Sequence, residues 1–490
     1  MKNSRRVTVA APAISAELLE SLRIRESSPL PKLRQLYLNL YGVIEGGQMP
    51  FDSRLPSSRD LAAQLDLGRN TVIGVYEQLT SEGMLKTDGR RGTRVARRLG
   101  SRRDESGLPW PHSDRAAGNR VVSSTGSALS PGEPDTRLFP HAVWRKAQSR
   151  AVDRVAGKLG YRNSGLPETR EAIARYLANY RSLSVDAEQI VITSGTRQSL
   201  ALAAHLYADP GDSAWVECPG YLGAVDAFRQ SGLSVTPCRV DAEGLVMPPT
   251  DTMLPRLIYV TPCFQYPTGV PLATGRRAAL LQLSREQGCI VFEDDYDSEF
   301  RDDTQPRPAL AADAAGARVL HAGTFSKLLF PAMRVGWLVL PQHAVEQAER
   351  CLRVIGGGCN TIAQAVVTEL LDNGSIGRHL RQARHIYGQR RQALISALQD
   401  CDLFEPIDEV SGSLSLVLQL KDSVSLTALQ AAFTEAGIGA QPLEHLDWQL
   451  ARPTRCKAIV IGLGNVDTLA IPATSQCLVK ALASVSRAAH

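Results

Sequence analysis

Five short runs of almost purely apolar residues recur between stretches of helical periodicity: Ile190-Val191-Ile192, Ala214-Trp215-Val216, Leu257-Ile258-Tyr259-Val260, Ile290-Val291-Phe292 and Trp337-Leu338-Val339-Leu340. Successive strand residues face opposite ways, so a run that is apolar throughout must be buried on both sides. That condition is met by a mostly parallel sheet with helices on each face, and it restricts this part of the chain to the α/β class. The pattern begins only after residues 101–128, a stretch rich in Ser, Gly, Pro and charge that reads as a linker. The expected organisation is a tail at 1–27, a compact unit at 28–98, a linker at 99–128 and an α/β domain at 129–490. Its larger part would span about 175–355 and its smaller part the remainder.

Charge separates the same regions. Residues 1–100 hold 16 Lys and Arg against 10 Asp and Glu, so the whole net charge of +5 lies at the front of the chain. Such a patch fits either a polyanion partner or a solvated basic linker, and charge alone does not choose between them. Nine cysteines, scattered from Cys218 to Cys477 without a C-x-x-C pair, favour a reducing cytoplasm and no structural metal. No apolar run approaches the ~20 residues of a bilayer span, and the start reads as no secretory signal.

In the front unit, Leu30 to Glu45 reads as a helix. Ser57 is placed to cap a second helix, with Asp60 as reciprocal partner and Gly68 as its breaker. A third helix begins near Arg69-Asn70-Thr71. Its Val72, Val75, Tyr76 and Leu79 fall at i, i+3, i+4 and i+7, which buries one face and leaves Arg69, Asn70, Thr71 and Glu77 outside. Two short helices joined by a tight turn, with Arg and Asn opening the second, form a helix-turn-helix able to meet major-groove base edges. Leu85 to Val95 reads as a hairpin wing carrying Arg90 and Arg91. The sequence Leu55-Pro56-Ser57-Ser58-Arg59-Asp60-Leu61, then Arg69-Asn70-Thr71-Val72 and Glu82-Gly83-Met84-Leu85, resembles the winged helix of the GntR superfamily over residues 28–96. The resemblance implies that Arg59 and the polar start of the recognition helix, Arg69, Asn70 and Thr71, face DNA; Ser57 and the wing residues Arg90 and Arg91 complete the expected DNA-binding set. Two departures are Gly68, where a Ser often caps the recognition helix, and Gly74 within that helix, which costs about 1 kcal/mol of helix propensity.

In the second unit, Gly323-Thr324-Phe325-Ser326-Lys327 is followed by Arg334. A lysine among hydroxyls can form a Schiff base with an aldehyde cofactor, with the arginine clamping a phosphate. Glu293-Asp294-Asp295-Tyr296 places acids at the carboxyl end of a strand, where open α/β sheets bind ligands. Thr193-Ser194-Gly195-Thr196-Arg197 leads from a strand into a helix whose backbone N–H groups can receive a phosphate. Tyr221 offers a ring for stacking. Together with Leu138-Phe139-Pro140, Leu159-Gly160-Tyr161 and Gln265-Tyr266-Pro267-Thr268-Gly269, these motifs resemble fold-type I pyridoxal-phosphate enzymes of the aspartate aminotransferase superfamily. With the winged helix in front, the chain resembles the MocR/GabR branch of transcription regulators.

That resemblance implies pyridoxal 5′-phosphate as cofactor and Lys327 as the Schiff-base lysine. Asp294 would partner the pyridine nitrogen, Tyr296 the cofactor hydroxyl, and Tyr221 the ring face. Gly195, Thr196, Thr324 and Arg334 would form the phosphate cradle, Arg197 and Ser326 would be further cofactor-binding residues, and Tyr161 would reach the phosphate of the opposite protomer. Promoter DNA, a small-molecule effector (an amine, an amino acid or pyridoxal phosphate itself) and a homodimer are the implied partners. The chain departs from the enzymes in carrying Tyr266 where an asparagine is usual and no arginine between Ala458 and Gly464, where a substrate carboxylate would be met. Gly223 stands where the GABA-responsive relatives place a second arginine, which argues against GABA as effector. A catalytically active aminotransferase with a DNA-binding module remains the alternative.

Overall fold

The computed structural model describes residues 15–88, 92–96, 127–157, 160, 163–249, 252–301, 307–407, 414–449 and 455–487. The chain divides into two compact units, Met1–Pro111 and His112–His490, and the division falls inside the expected linker.

In the first unit, α1 (Ala16–Leu22), α2 (Lys32–Glu45), α3 (Ser58–Leu65) and α4 (Arg69–Ser81) precede a hairpin of β1 (Leu85–Asp88) and β2 (Gly92–Val95). The tail expected at 1–27 therefore contributes a helix, and Leu22 of α1 is fully buried in the unit's core beside Leu36, Leu40 and Leu61. The apolar stripe of α4 is buried as its periodicity requires, at Val72, Val75, Tyr76 and Leu79. Ser57 caps α3 by accepting the Asp60 N–H at 3.2 Å. The reciprocal half of the box differs from expectation, because the Asp60 carboxylate accepts from the Ser57 hydroxyl at 2.7 Å. Asp66, not Gly68, ends α3, in the left-handed region at φ 52°, while Gly68 becomes the N-cap of α4 without a side-chain bond. Gly74 has a packing reason: a Cβ there would lie 3.1 Å from Leu33 Cδ1 on α2.

The second unit is built on an eight-stranded sheet ordered β3-β10-β9-β8-β7-β4-β5-β6. Its strands are β3 (Ile190–Thr193), β4 (Ser213–Cys218), β5 (Ser234–Asp241), β6 (Gly244–Leu245), β7 (Leu257–Val260), β8 (Ile290–Asp295), β9 (Val319–Thr324) and β10 (Gly336–Val339). The pairs β5/β4, β4/β7, β7/β8 and β8/β9 are parallel, and β10 runs against both its neighbours. Strands β3, β4, β7, β8 and β10 are buried at every residue, as their unbroken apolar runs demand. A second sheet orders β11 (Ser415–Ser425), β13 (Arg455–Gly462) and β12 (Gln441–Pro442). The helical stretch Thr468–Ser486 is apolar enough to cross a membrane by length and composition, yet its Ile471, Leu478 and Leu482 sit in the core. Ala128 pairs with Ile438, so the expected linker's last residue belongs to this unit.

Candidate functional site

The carboxyl ends of β3, β7, β8 and β9 converge on one edge of the sheet, and Lys327 stands there on a single helical turn, Phe325–Leu328. The Thr324 oxygen caps that turn by accepting the Ser326 N–H at 3.1 Å, and its hydroxyl donates to Ser326 Oγ at 2.9 Å. Thr324, expected in the cradle, and Ser326, expected among the cofactor-binding residues, fix the backbone that carries Lys327. The Lys327 ammonium donates to the Gly132 carbonyl. Burial pulls its pKa below the ordinary lysine value, against the raising fields of Asp297, Glu133 and Asp294.

Asp294 closes the other side. Tyr259 on β7 donates its hydroxyl to Asp294 Oδ2 at 2.8 Å, and Thr196 donates to Oδ1 at 3.2 Å. Burial pushes this carboxyl up to about 6 despite those two bonds. Its neighbours on β8 point elsewhere, as strand alternation requires. Glu293 accepts the backbone N–H groups of Leu310 and Ala311 at 2.6 and 2.9 Å. Asp295 pairs with Arg181 and accepts from His321 Nε2 at 3.2 Å, while Trp337 donates to His321 Nδ1 at 3.3 Å.

Gly195, at φ 113°, opens the helix Thr196–Tyr207. A Cβ at this position would lie 3.7 Å from Thr324 Oγ1 and 3.8 Å from Arg334 Nη1, so the missing side chain leaves a concavity bounded by a hydroxyl and a guanidinium. Arg334 reaches it from a left-handed backbone, φ 50°, whose carbonyl accepts from the Cys359 thiol at 3.0 Å. A non-glycine residue held there costs about 1–3 kcal/mol, the kind of strain that concentrates at ligand sites. Two of the N–H groups expected to face a phosphate are used locally: Ser194 donates to Gln198 Oε1 at 2.7 Å and Gly195 to Thr193 Oγ1 at 3.4 Å. Those of Thr196 and Arg197, in the first turn, have no partner among the described residues. A hydroxyl, a guanidinium and open helix N–H groups suit a phosphate dianion.

Tyr221 stands at the rim, with its ring 6.3 Å from those of Tyr259 and Tyr266, and Tyr266 stands 6.0 Å from Tyr296. Burial raises the phenols of Tyr221 and Tyr296 above the ordinary tyrosine value. Arg197, expected among the cofactor-binding residues, donates its Nε to the Tyr221 hydroxyl at 3.2 Å and so positions that ring. Tyr161, Arg90 and Arg91 lie outside the described residues. The sequence reading missed Tyr259, Glu217, Arg181 and His321. Each is a polar side chain in or against a buried apolar segment, a signal that it must find a partner. Glu217, buried against Thr261 at 2.6 Å, is pushed up to about 7.

In the first unit, Ser57, Arg59, Arg69 and Asn70 are exposed and Thr71 is half-buried at the start of α4, opposite its apolar stripe. This is the arrangement that leaves their donors available to a groove.

Known proteins match both units. Residues 127–447 match the family model described as aminotransferase class I and II, and residues 32–95 match bacterial regulatory proteins of the gntR family. The probable rhizopine catabolism regulatory protein MocR of Rhizobium meliloti is 30% identical over 460 residues, 91% of this chain and 92% of that one. The pyridoxine biosynthesis transcriptional regulator PdxR of Corynebacterium glutamicum is 29% identical over 452 residues, 92% of this chain and 96% of its own. Among solved structures, kynurenine aminotransferase of Pyrococcus horikoshii, in complex with PMP, superposes with a TM-score of 0.67 at 25% identity, over 76% of this chain and 97% of that one.

Proposed function

Because the chain belongs to the class I and II aminotransferase family and carries a gntR-family domain ahead of it, we propose that it is a pyridoxal-phosphate-dependent, DNA-binding transcription regulator. The observation that carries the reading is the convergence of Lys327, Asp294 and the Gly195–Thr324–Arg334 concavity in a chain that also bears a complete helix-turn-helix.

Pyridoxal phosphate, when bound, supplies an aldehyde that condenses with amines and a ring that withdraws electrons. Lys327 is the amine that would hold it, and burial favours the neutral, nucleophilic form of that amine. Asp294 would keep a proton at the ring nitrogen, Tyr259 and Thr196 orienting its two oxygens. Thr324, Arg334 and the first turn of the helix Thr196–Tyr207 would hold the phosphate, and Tyr221, steadied by Arg197, would face the ring.

The Asp294 carboxyl gives this reading a pH signature. Its folded value, about 6, lies above the ordinary carboxylate range, so the charged form is the disfavoured one until a cationic partner arrives. As pH falls through about 6 the carboxyl takes a proton before the cofactor binds, and cofactor affinity is expected to fall by up to about tenfold per pH unit from this group. Asp294→Asn should bind more weakly at neutral pH, and its deficit should shrink below pH about 6. Cofactor titrations of both proteins over this range check it; a deficit that grows on acidification would refute the assignment.

On the DNA side, Arg59→Ala and Asn70→Ala are each expected to cost about 1–3 kcal/mol at the cognate site and to relax sequence preference there. Competition binding against randomised duplexes checks this, and unchanged preference in both variants would remove them from the groove. The reading implies a cytoplasmic homodimer whose paired heads suit repeated half-sites, with an effector acting through its different affinity for two arrangements of the chain. Amino-group transfer is the second reading, favoured by the intact Lys327 and Asp294. Repeated turnover with a keto acid, without salt-sensitive promoter binding, would select it.

A further inference from the structure

Three polar side chains are buried where β4 and β7 end: Glu217, Thr261 and Gln265, at 2%, 1% and 1% exposure. At that burial none of them can exchange a lost partner for water, so their bonds are obligatory. The Thr261 hydroxyl donates to Glu217 Oε2 at 2.6 Å and accepts the Tyr266 N–H at 3.1 Å. The Gln265 amide nitrogen lies among three acceptors: Tyr266 O at 2.5 Å, Pro219 O at 2.9 Å and Glu217 Oε2 at 3.4 Å. Its amide oxygen accepts from the Thr268 hydroxyl at 2.6 Å and the Thr268 N–H at 3.2 Å. Gln265 therefore ties the turn at 217–221 to the turn at 261–269.

The turn that presents Tyr221 is held from its other side as well. The Gly220 N–H donates to Leu446 O at 3.0 Å, and the Trp448 indole donates to the Glu217 carbonyl at 3.4 Å. A Cβ at Gly220 would lie 2.1 Å from that same carbonyl oxygen, so the chain folds back this tightly only on glycine. Beyond the turn, the Tyr221 ring lies across Gly223, in the first turn of the helix Leu222–Gln230. A Cβ at 223 would sit 2.3 Å from Tyr221 Cζ and 2.5 Å from its hydroxyl oxygen. The backbone there is helical, so it is the close approach of the ring that requires glycine.

We infer that Gln265 and Gly223 are positioning residues for Tyr221: the first fixes the turn from which the ring projects, and the second leaves the space in which the ring lies. The inference rests on the reading that Tyr221 faces the cofactor held by Lys327, and it adds how that face is set. A ring ordered before the cofactor arrives contributes its stacking contact without a further loss of side-chain entropy on binding. Because both residues act through the ring, the effect of changing either is bounded by the effect of removing the ring itself.

The test titrates full-length protein, stripped of cofactor, with pyridoxal phosphate and reads the visible band. Tyr221→Ala is expected to weaken binding by up to about tenfold, the scale of one aromatic contact. Gln265→Met and Gly223→Ala should each weaken it about three- to tenfold, and neither by more than Tyr221→Ala does. Combined with Tyr221→Ala, each should cost less than about twofold, because the ring it positions is gone. Gly223→Ala raises helix propensity, and its added methyl meets only the outer end of a side chain, so it decides alone if Gln265→Met does not fold. A loss that persists in the Tyr221→Ala background, or an affinity unchanged in the folded single variants, overturns the inference. A parent protein that takes up no cofactor colour fails the earlier reading; one that colours normally while the paired losses simply add fails this one alone.

Discussion

Lys327→Ala is expected to give a folded protein that stays colourless with pyridoxal phosphate, fixes none of it on borohydride reduction, and no longer changes its DNA binding with effector. The fold should survive because Lys327 contributes little packing: its turn is held by the Thr324 cap and by the buried Phe325 and Leu328. Its ammonium meets the Gly132 carbonyl at a cavity that water can enter, so no buried acceptor is stranded. Losing the covalent bond should weaken cofactor retention by at least about a hundredfold, or about 3 kcal/mol, with phosphate and ring contacts remaining. Lys327→Arg keeps the charge but lacks a nucleophilic amine, so it should fail in the same way. A borohydride-fixable yellow band that persists in either variant would place the aldehyde on another lysine.

How far this cleft could be read from the sequence depends on the range of the interaction concerned. The stripe Val72, Val75, Tyr76 and Leu79 is periodic and the doubly buried strands are unbroken apolar runs, so local pattern fixes both. Asp66 in the left-handed region and the buried Leu22 of α1 were not legible, because turn geometry and tertiary burial override composition there. In the run Glu293-Asp294-Asp295, strand alternation says that the middle acid opposes its neighbours, but not which side faces the cleft. Resemblance supplied that choice, and the bonds from Tyr259 and Thr196 to Asp294 agree with it. The partners of the outer two are long-range: Arg181 is 114 positions from Asp295, and no spacing rule reaches that far. The cavity beside Lys327 was equally hidden, since its walls come from residues 130–133 and 430–445.

Arg181 and Asp295 also carry the largest expected stability effect. Their side chains are only 4% and 2% exposed, so neither charge has water to fall back on. The guanidinium holds the Asp295 carboxyl well below the usual range, outweighing the burial that raises it, with His321 assisting. Arg181 also donates to the Arg307 carbonyl at 2.9 Å. Arg181→Met should therefore destabilise the second unit by about 3–5 kcal/mol, because it strands a buried carboxylate. Adding Asp295→Asn removes the stranded charge and should recover more than half of that loss. The depressed carboxyl fixes the sign with pH: its contribution is fully present above the ordinary carboxylate value, about 4, and is lost as pH falls further through the folded value. Urea denaturation at neutral pH, read as a shift in midpoint, distinguishes the cases. If Arg181→Met alone matches the parent protein, the pair supplies orientation at the foot of β8 and no net stability, and Asp294 must be held by Tyr259 and Thr196 without it.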